Sequence, residues 1–195
     1  MNIAVVQYNA GNVQSVLYAL KRLGFTATLT SDEKELRAAD KVIFPGVGHA
    51  ATAMEDLRKN NLHQVIPALT QPVLGICVGM QLLCNHSEEG NTPCLGIIDT
   101  VVKKFETTGN EKIPQVGWNN MYNYQSPLLK GLPDNAFVYY VHSYYAAICE
   151  ETVAETNYIQ PFSAILQKNN FFGVQFHTEK SAGTGDQLLL NFLNL

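Results

Sequence analysis

Cys77 stands between two glycines in Gly75-Ile76-Cys77-Val78-Gly79, where an apolar run gives way to a helical pattern. This G-x-C-x-G spacing fits a nucleophile elbow, a sharp strand-to-helix turn that holds the apical side chain outward. Side chains in place of the glycines would clash with the turn. A thiol at that point faces the positive end of the following helix, which favours the reactive thiolate. The backbone N–H of Val78 is then free to receive a developing oxyanion. A buried structural cysteine between closely packed glycines fits the same five residues.

A thiolate nucleophile needs a base, and the base needs an orienting partner. Of the five histidines, His49, His63 and His86 have nothing suggestive beside them, and His142 lies in Tyr139-Tyr140-Val141-His142-Ser143-Tyr144-Tyr145. His177 ends an apolar strand pattern with Glu179 two residues on. Side chains two apart on a strand share a face. If the extended conformation lasts, His177 and Glu179 point the same way. The turn Pro45-Gly46-Val47-Gly48 ends a third strand that should neighbour the elbow strand, and its glycines can aim N–H groups at a substrate.

The elements that must position these groups are legible in outline. Residues 2–8 read as a strand, followed by a helix from Val13 that Gly24 closes. "TATLT" is a second strand, and "SDEKELRAAD" a short helix with Ser31 as its N-cap candidate. "KVIF" is a third strand, "AATAMEDLRKN" and "LHQVIPAL" are helical, "QPVLGIC" is a fourth strand, and "GMQLLCN" the helix after it. After about residue 90 the rhythm becomes strands joined by short turns, with Asn169 and Asn170 at the centre of a hairpin, and the chain ends in a helix. Alternation of this kind calls for an α/β three-layer sandwich, with a mostly parallel central sheet and antiparallel strands in the second half. One domain over 1–195 is expected.

Composition narrows the function. Charged residues are 15% and the net charge is -4, with no basic run, which argues against a nucleic-acid surface. No apolar stretch reaches membrane-spanning length, and no signal-peptide pattern opens the chain. A soluble, cytoplasmic protein is expected. Its four cysteines have no metal-site spacing and are expected as free thiols.

The elbow, the His177-x-Glu179 pair and the Pro-Gly-Val-Gly turn together resemble the class I glutamine amidotransferase family. Further blocks carry the likeness along essentially the whole chain: "YNAGNVQSV", Ala53-Met54, "GICVGMQLL", "SEE" at 87–89, "PQVGWN" at 114–119 and "VHSYY". Their order is closest to the branch of glutaminase subunits of imidazole glycerol phosphate synthase, in histidine biosynthesis. The resemblance implies a flavodoxin-like fold and hydrolysis of glutamine through a Cys77 thioester. His177 is then the acid and base and Glu179 its orienter, with Gly46, Val47, Gly48 and Val78 around the oxyanion. It implies that Gln81, Glu89, Ser143 and Tyr144 hold glutamine, and that Asn12, Trp118 and Lys180 face a partner. That partner is a (βα)8-barrel cyclase subunit, which receives the ammonia. No metal or organic cofactor is implied. Thr178 replaces the family's usual proline between His and Glu, and Gln115 stands where a His is frequent. Two other readings stay open on the residues alone: a stand-alone cysteine hydrolase of peptides or esters, and a non-catalytic regulatory subunit on the same fold.

Overall fold

The computed structural model describes residues 1–9, 12–107 and 109–195. Ala10 and Gly11, in the "YNAGNVQSV" block, lie outside the described residues. In chain order the elements are β1 (Ile3–Val6), α1 (Val13–Arg22), β2 (Ala27–Thr30), α2 (Glu33–Ala38), β3 (Lys41–Gly46), α3 (Ala50–Lys59), α4 (Leu62–Val65), β4 (Val73–Cys77) and α5 (Val78–Leu83). There follow β5 (Cys84–Ser87), β6 (Thr92–Pro93), β7 (Ile98–Lys104), β8 (Gln115–Asn120), β9 (Phe137–His142), β10 (Tyr144–Ala146), β11 (Thr152–Tyr158), β12 (Gln160–Lys168), β13 (Phe171–Val174) and α6 (Ala182–Leu193).

The central sheet has seven strands in the order β11-β12-β13-β4-β3-β1-β2. The pairs β1–β2, β1–β3, β3–β4 and β4–β13 are parallel, and β12 pairs antiparallel with both β13 and β11. Burial explains the sequence pattern. β1, β3, β4 and β13 are buried at every position, so they read as unbroken apolar runs. Two helix groups cover the sheet. α1 and α6 are tied by Arg22–Asp186, and α3 packs with α4 and α5. The remaining strands form a small sheet, β10-β7-β5-β6, and an antiparallel pair, β8–β9.

Local chemistry explains the differences from expectation. Asp32, not Ser31, caps α2: its carboxylate accepts from the N–H groups of Lys34 and Glu35. A charged acceptor at the positive end of a helix outcompetes the neighbouring hydroxyl. The helix after the elbow stops at Leu83, and Cys84–Ser87, which includes His86, pairs with β7 as a strand. In the β12–β13 hairpin only Asn169 takes positive φ (53°); Asn170 instead ties the turn to the carbonyls of Leu69 and Gln71. Pro67 tightens the segment after α4 into a 3₁₀ turn, Ile66–Ala68.

The elbow depends on close backbone approach. A Cβ on Gly79 would run into the Phe44 carbonyl oxygen of β3, and one on Gly75 would meet the backbone of α5. Their absence lets α5 lie directly over β3 and β4. Cys77 itself has φ 55° and ψ -111°, a conformation that L-residues adopt only when their surroundings enforce it.

Candidate active site

The parallel strands carry their carboxyl ends to one edge, and the predicted chemistry collects there. Gly46 at the end of β3 is in register with Cys77 at the end of β4. β13 runs on past Val174 to deliver His177 on the other side of β4. A pocket of about 320 Å³ opens at this edge, lined by residues that include Val47, Gly48, Cys77, Val78, Gln81, Glu89, Ser143, Tyr144, His177 and Lys180. That volume suits a small-molecule substrate.

His177 lines the pocket beside Cys77, and its Nδ1 lies 2.8 Å from Glu179 Oε1. Burial alone would lower the His177 imidazolium. The nearby Cys77 and the bond to Glu179 outweigh it and carry the ring up to about 10. The pairing is as expected, but its cause differs. The extended strand ends at Val174, and His177 is the N-cap of a 3₁₀ turn, Thr178–Lys180, that curls Glu179 back onto the ring. Ser181 reinforces the curl by donating its hydroxyl to the His177 carbonyl at 2.7 Å. Its Oγ also accepts the Tyr139 N–H at 2.9 Å.

His142, the other buried histidine near the pocket, is held differently. Its Nδ1 is 2.7 Å from the Tyr144 carbonyl, and its Nε2 is 3.0 Å from the Gln115 side-chain amide. Burial pushes its ring down to about 4, so it is neutral near pH 7. Gln115 therefore fills a buried structural place next to the site.

The oxyanion residues are split. Val47, Gly48 and Val78 line the pocket, whereas Gly46 lines a smaller cavity behind it with Asn12, His177 and Glu179. Gly46 is fixed in β3, pressed by the Tyr8 hydroxyl, which donates to the Pro45 carbonyl at 2.8 Å. Gly48 has φ 97° and open space around it, which makes it the free end of the turn.

Gln81 is almost fully buried, and its Nε2 donates to the Tyr144 carbonyl and to Gln175 Oε1. Its Oε1 is the atom left for the pocket. Glu89 also lines the pocket, but one carboxylate oxygen accepts the Ala50 N–H at 2.7 Å and so secures the start of α3. Ser143 and Tyr144 line the wall opposite the elbow.

Of the three residues expected at a partner surface, Trp118, at 52%, and Lys180 are exposed. Lys180 lines the pocket mouth. Asn12 is half-buried, with its side-chain N–H 3.3 Å from Glu179 Oε1. Sequence reasoning missed Gln175, which is fully buried and donates to the Cys77 sulfur at 3.8 Å. Its place two residues before His177 on an apolar strand end was the available signal.

A family model described as glutamine amidotransferase class-I matches residues 4–194. The chain is 56% identical over 196 residues to the imidazole glycerol phosphate synthase subunit HisH of Bacteroides fragilis (strain YCH46), covering all of both chains. It is 46% identical over 197 residues to the HisH subunit of Yersinia pseudotuberculosis serotype I (strain IP32953), again covering all of both. Among solved structures, a putative GMP synthase subunit from Thermoplasma acidophilum shares the fold with a TM-score of 0.73 at 20% identity, covering 100% of this chain and 93% of that one. A protein described as a glutamine amidotransferase does so at 0.76 and 17%, covering 100% and 98%. A family match over nearly every residue, with full-length relatives at this identity, has one consequence: the chain belongs to the class I glutamine amidotransferase family.

Proposed function

We propose that the chain, acting as one domain in the cytoplasm, is the glutaminase subunit of an imidazole glycerol phosphate synthase. In this reading it hydrolyses glutamine and hands the ammonia to a (βα)8-barrel cyclase subunit in histidine biosynthesis. The observation that carries the chemistry is Cys77 on a strained elbow, sharing one substrate-sized pocket with His177, whose ring has Glu179 2.8 Å behind it. The full-length HisH relatives support the assignment to this branch.

The Cys77 thiol gives its proton to His177, and the sulfur attacks the side-chain amide carbon of glutamine to form a C–S bond. Charge moves to the amide oxygen, and in this reading the Val78 N–H and a donor from the movable Val47–Gly48 turn, both lining the pocket, receive it. His177 gives its proton to the amide nitrogen, the C–N bond breaks and ammonia leaves. Water then adds to the thioester and gives its proton to His177, and the C–S bond breaks to release glutamate. Glu179 stays ionised and holds the ring. The ammonium of glutamine suits the Glu89 carboxylate and Gln81 Oε1, and Lys180 at the mouth offers a cation to its carboxylate.

The test is direct. Cys77→Ala should abolish glutamine hydrolysis, assayed with the cyclase subunit present, while circular dichroism stays unchanged. Cys84, Cys94 and Cys149 changed singly to Ala should keep activity within a few-fold. Hydrolysis by Cys77→Ala at the unsubstituted rate would overturn the reading.

A further inference from the structure

We propose that Gln175 is a further catalytic residue, which donates a side-chain N–H to the Cys77 sulfur and is held in that orientation by Gln81. The proposal rests on Cys77 being the nucleophile.

The order of atoms carries the argument. Gln81 Nε2 has two hydrogens; one goes to the Tyr144 carbonyl at 2.8 Å and the other to Gln175 Oε1 at 2.9 Å. A carbonyl oxygen can only accept, so the Tyr144 contact fixes which end of Gln81 faces inward. The inward N–H in turn fixes Gln175, whose oxygen must face Gln81. The amino end of Gln175 is therefore turned to Cys77, with Nε2 3.8 Å from Sγ, a separation consistent with the large sulfur radius. Gln175 is fully buried, so no water competes for that donor.

The opposing group on the sulfur is the Val141 carbonyl, 3.9 Å away. A carbonyl rewards the thiol, which can donate to it, and repels the thiolate. An amide N–H does the reverse. The titratable groups around the sulfur are His177, close enough to interact with it electrostatically, Tyr8, whose proton is engaged by the Pro45 carbonyl, and Glu179 behind His177. His142 is adjacent to His177 and neutral. Gln175 is thus the uncharged donor on the thiolate, separate from the His177 side. It stabilises the attacking form without losing a proton during the cycle. The same chain joins the sulfur to the pocket, because Gln81 offers its Oε1 there. Substrate held at Gln81 would be read one amide away from the nucleophile.

A hydrogen bond to a charged group shifts an equilibrium by about ten- to a hundredfold. The experiment uses iodoacetamide, which needs no oxyanion hole because the sulfur attacks its methylene carbon directly, forming the C–S bond as iodide leaves. Alkylation is followed at the Cys77 peptide by mass, from pH 6 to pH 10, in Gln175→Met, which keeps the length and removes the donor. At pH 7 alkylation should slow by about tenfold or more. It should recover towards the unsubstituted rate at high pH, with the half-maximal point displaced upward. An undisplaced profile, or an equal loss at every pH, would overturn the proposal. If Gln175→Met does not fold, the side-chain amide proton resonances of Gln175 are followed in the unsubstituted protein. They should move over the pH range in which Cys77 becomes reactive and lose that response in Cys77→Ala. Resonances that stay still overturn it. Glutamine hydrolysis surviving in Cys77→Ala would instead overturn the function above, so the two failures are distinct.

Discussion

His177 and His142 sit close enough to influence one another, yet their environments drive them in opposite directions. Cys77 and Glu179 hold the His177 ring up at about 10 against its burial; burial, with the His177 charge beside it, holds His142 down at about 4. The proposed reactive role follows this division, because His177 is the histidine held with a proton to give at the wall of the Cys77 pocket. His177→Asn should cost about a thousandfold or more in kcat. Glu179→Gln should cost less, since a carboxamide oxygen can still accept from Nδ1 and the 3₁₀ turn still aims the ring. Stability should show the same division. The folded His177 value lies above the unfolded value near 6.5, so its contribution is complete below pH 6.5 and is lost as pH rises through 10. Urea midpoints should fall between pH 7 and pH 9, and fall less in Glu179→Gln. His142 has the opposite sign. Its folded value lies below 6.5, so the unfolded chain takes up the extra proton on acidification and stability falls from pH 6.5 towards 4. That acid loss should shrink in His142→Gln.

At the scale of the element, the 3₁₀ turn Thr178–Lys180 converts a strand end into a catalytic geometry, and Thr178 is its weak point. Its hydroxyl is buried without a hydrogen-bond partner. The residue sits at the first position of the turn, where a proline costs no hydrogen bond. His177 has φ -86° and ψ 102°, the extended form that a residue before proline adopts. Thr178→Pro should therefore raise Tm by about 2–4 °C, as expected for about 1 kcal/mol in a chain of this size. Glutamine turnover should be unchanged, and a lowered Tm would show that the turn depends on the hydroxyl. This turn also marks how far the sequence can be read. The elbow was legible because two glycines and a cysteine at fixed spacing answer to one steric demand. Period-two spacing paired His177 with Glu179 correctly, but the pair is made by a 3₁₀ curl that Ser181 ties down, and a local pattern cannot report that distant support. β5 was missed because Cys84 to Ser87 follow a helix without punctuation, and only pairing with β7 makes them a strand. Gln175 was missed because a buried amide announces itself only through partners 94 and 98 residues away.

At the scale of the whole molecule, the exposed apolar surface is joined to the triad by a short covalent and hydrogen-bonded route. Trp118 on β8 packs edge-on against Tyr139 of β9, with ring centroids 5.8 Å apart. Val116 on the same strand and Phe137 on the neighbouring one are also exposed. Tyr139 then holds the catalytic turn from both sides of its peptide. Its carbonyl accepts the His177 N–H at 2.9 Å, and its N–H donates to Ser181 Oγ at 2.9 Å. A partner that covers Trp118 can thus bear on the residue that sets His177, while the open Gly48 end of the oxyanion turn supplies the movable donor. In the proposed complex with the cyclase subunit, the isolated chain should turn over glutamine very slowly. Docking of the ligand-loaded partner should raise kcat by about a hundredfold to a thousandfold, the worth of one oxyanion donor. Trp118 is the only tryptophan in the chain, so its fluorescence should shift to the blue as the partner excludes water from the ring. Trp118→Ala should weaken the complex by about thirtyfold or more, the loss typical of a central aromatic anchor. It should leave Cys77 alkylation in the isolated chain nearly unchanged, because Tyr139 holds the turn through its backbone while Trp118 touches only its ring. An unshifted emission together with full affinity in Trp118→Ala would place the partner on another face. Equal kcat with and without the partner would mean that the Gly48 turn already holds its donor inward.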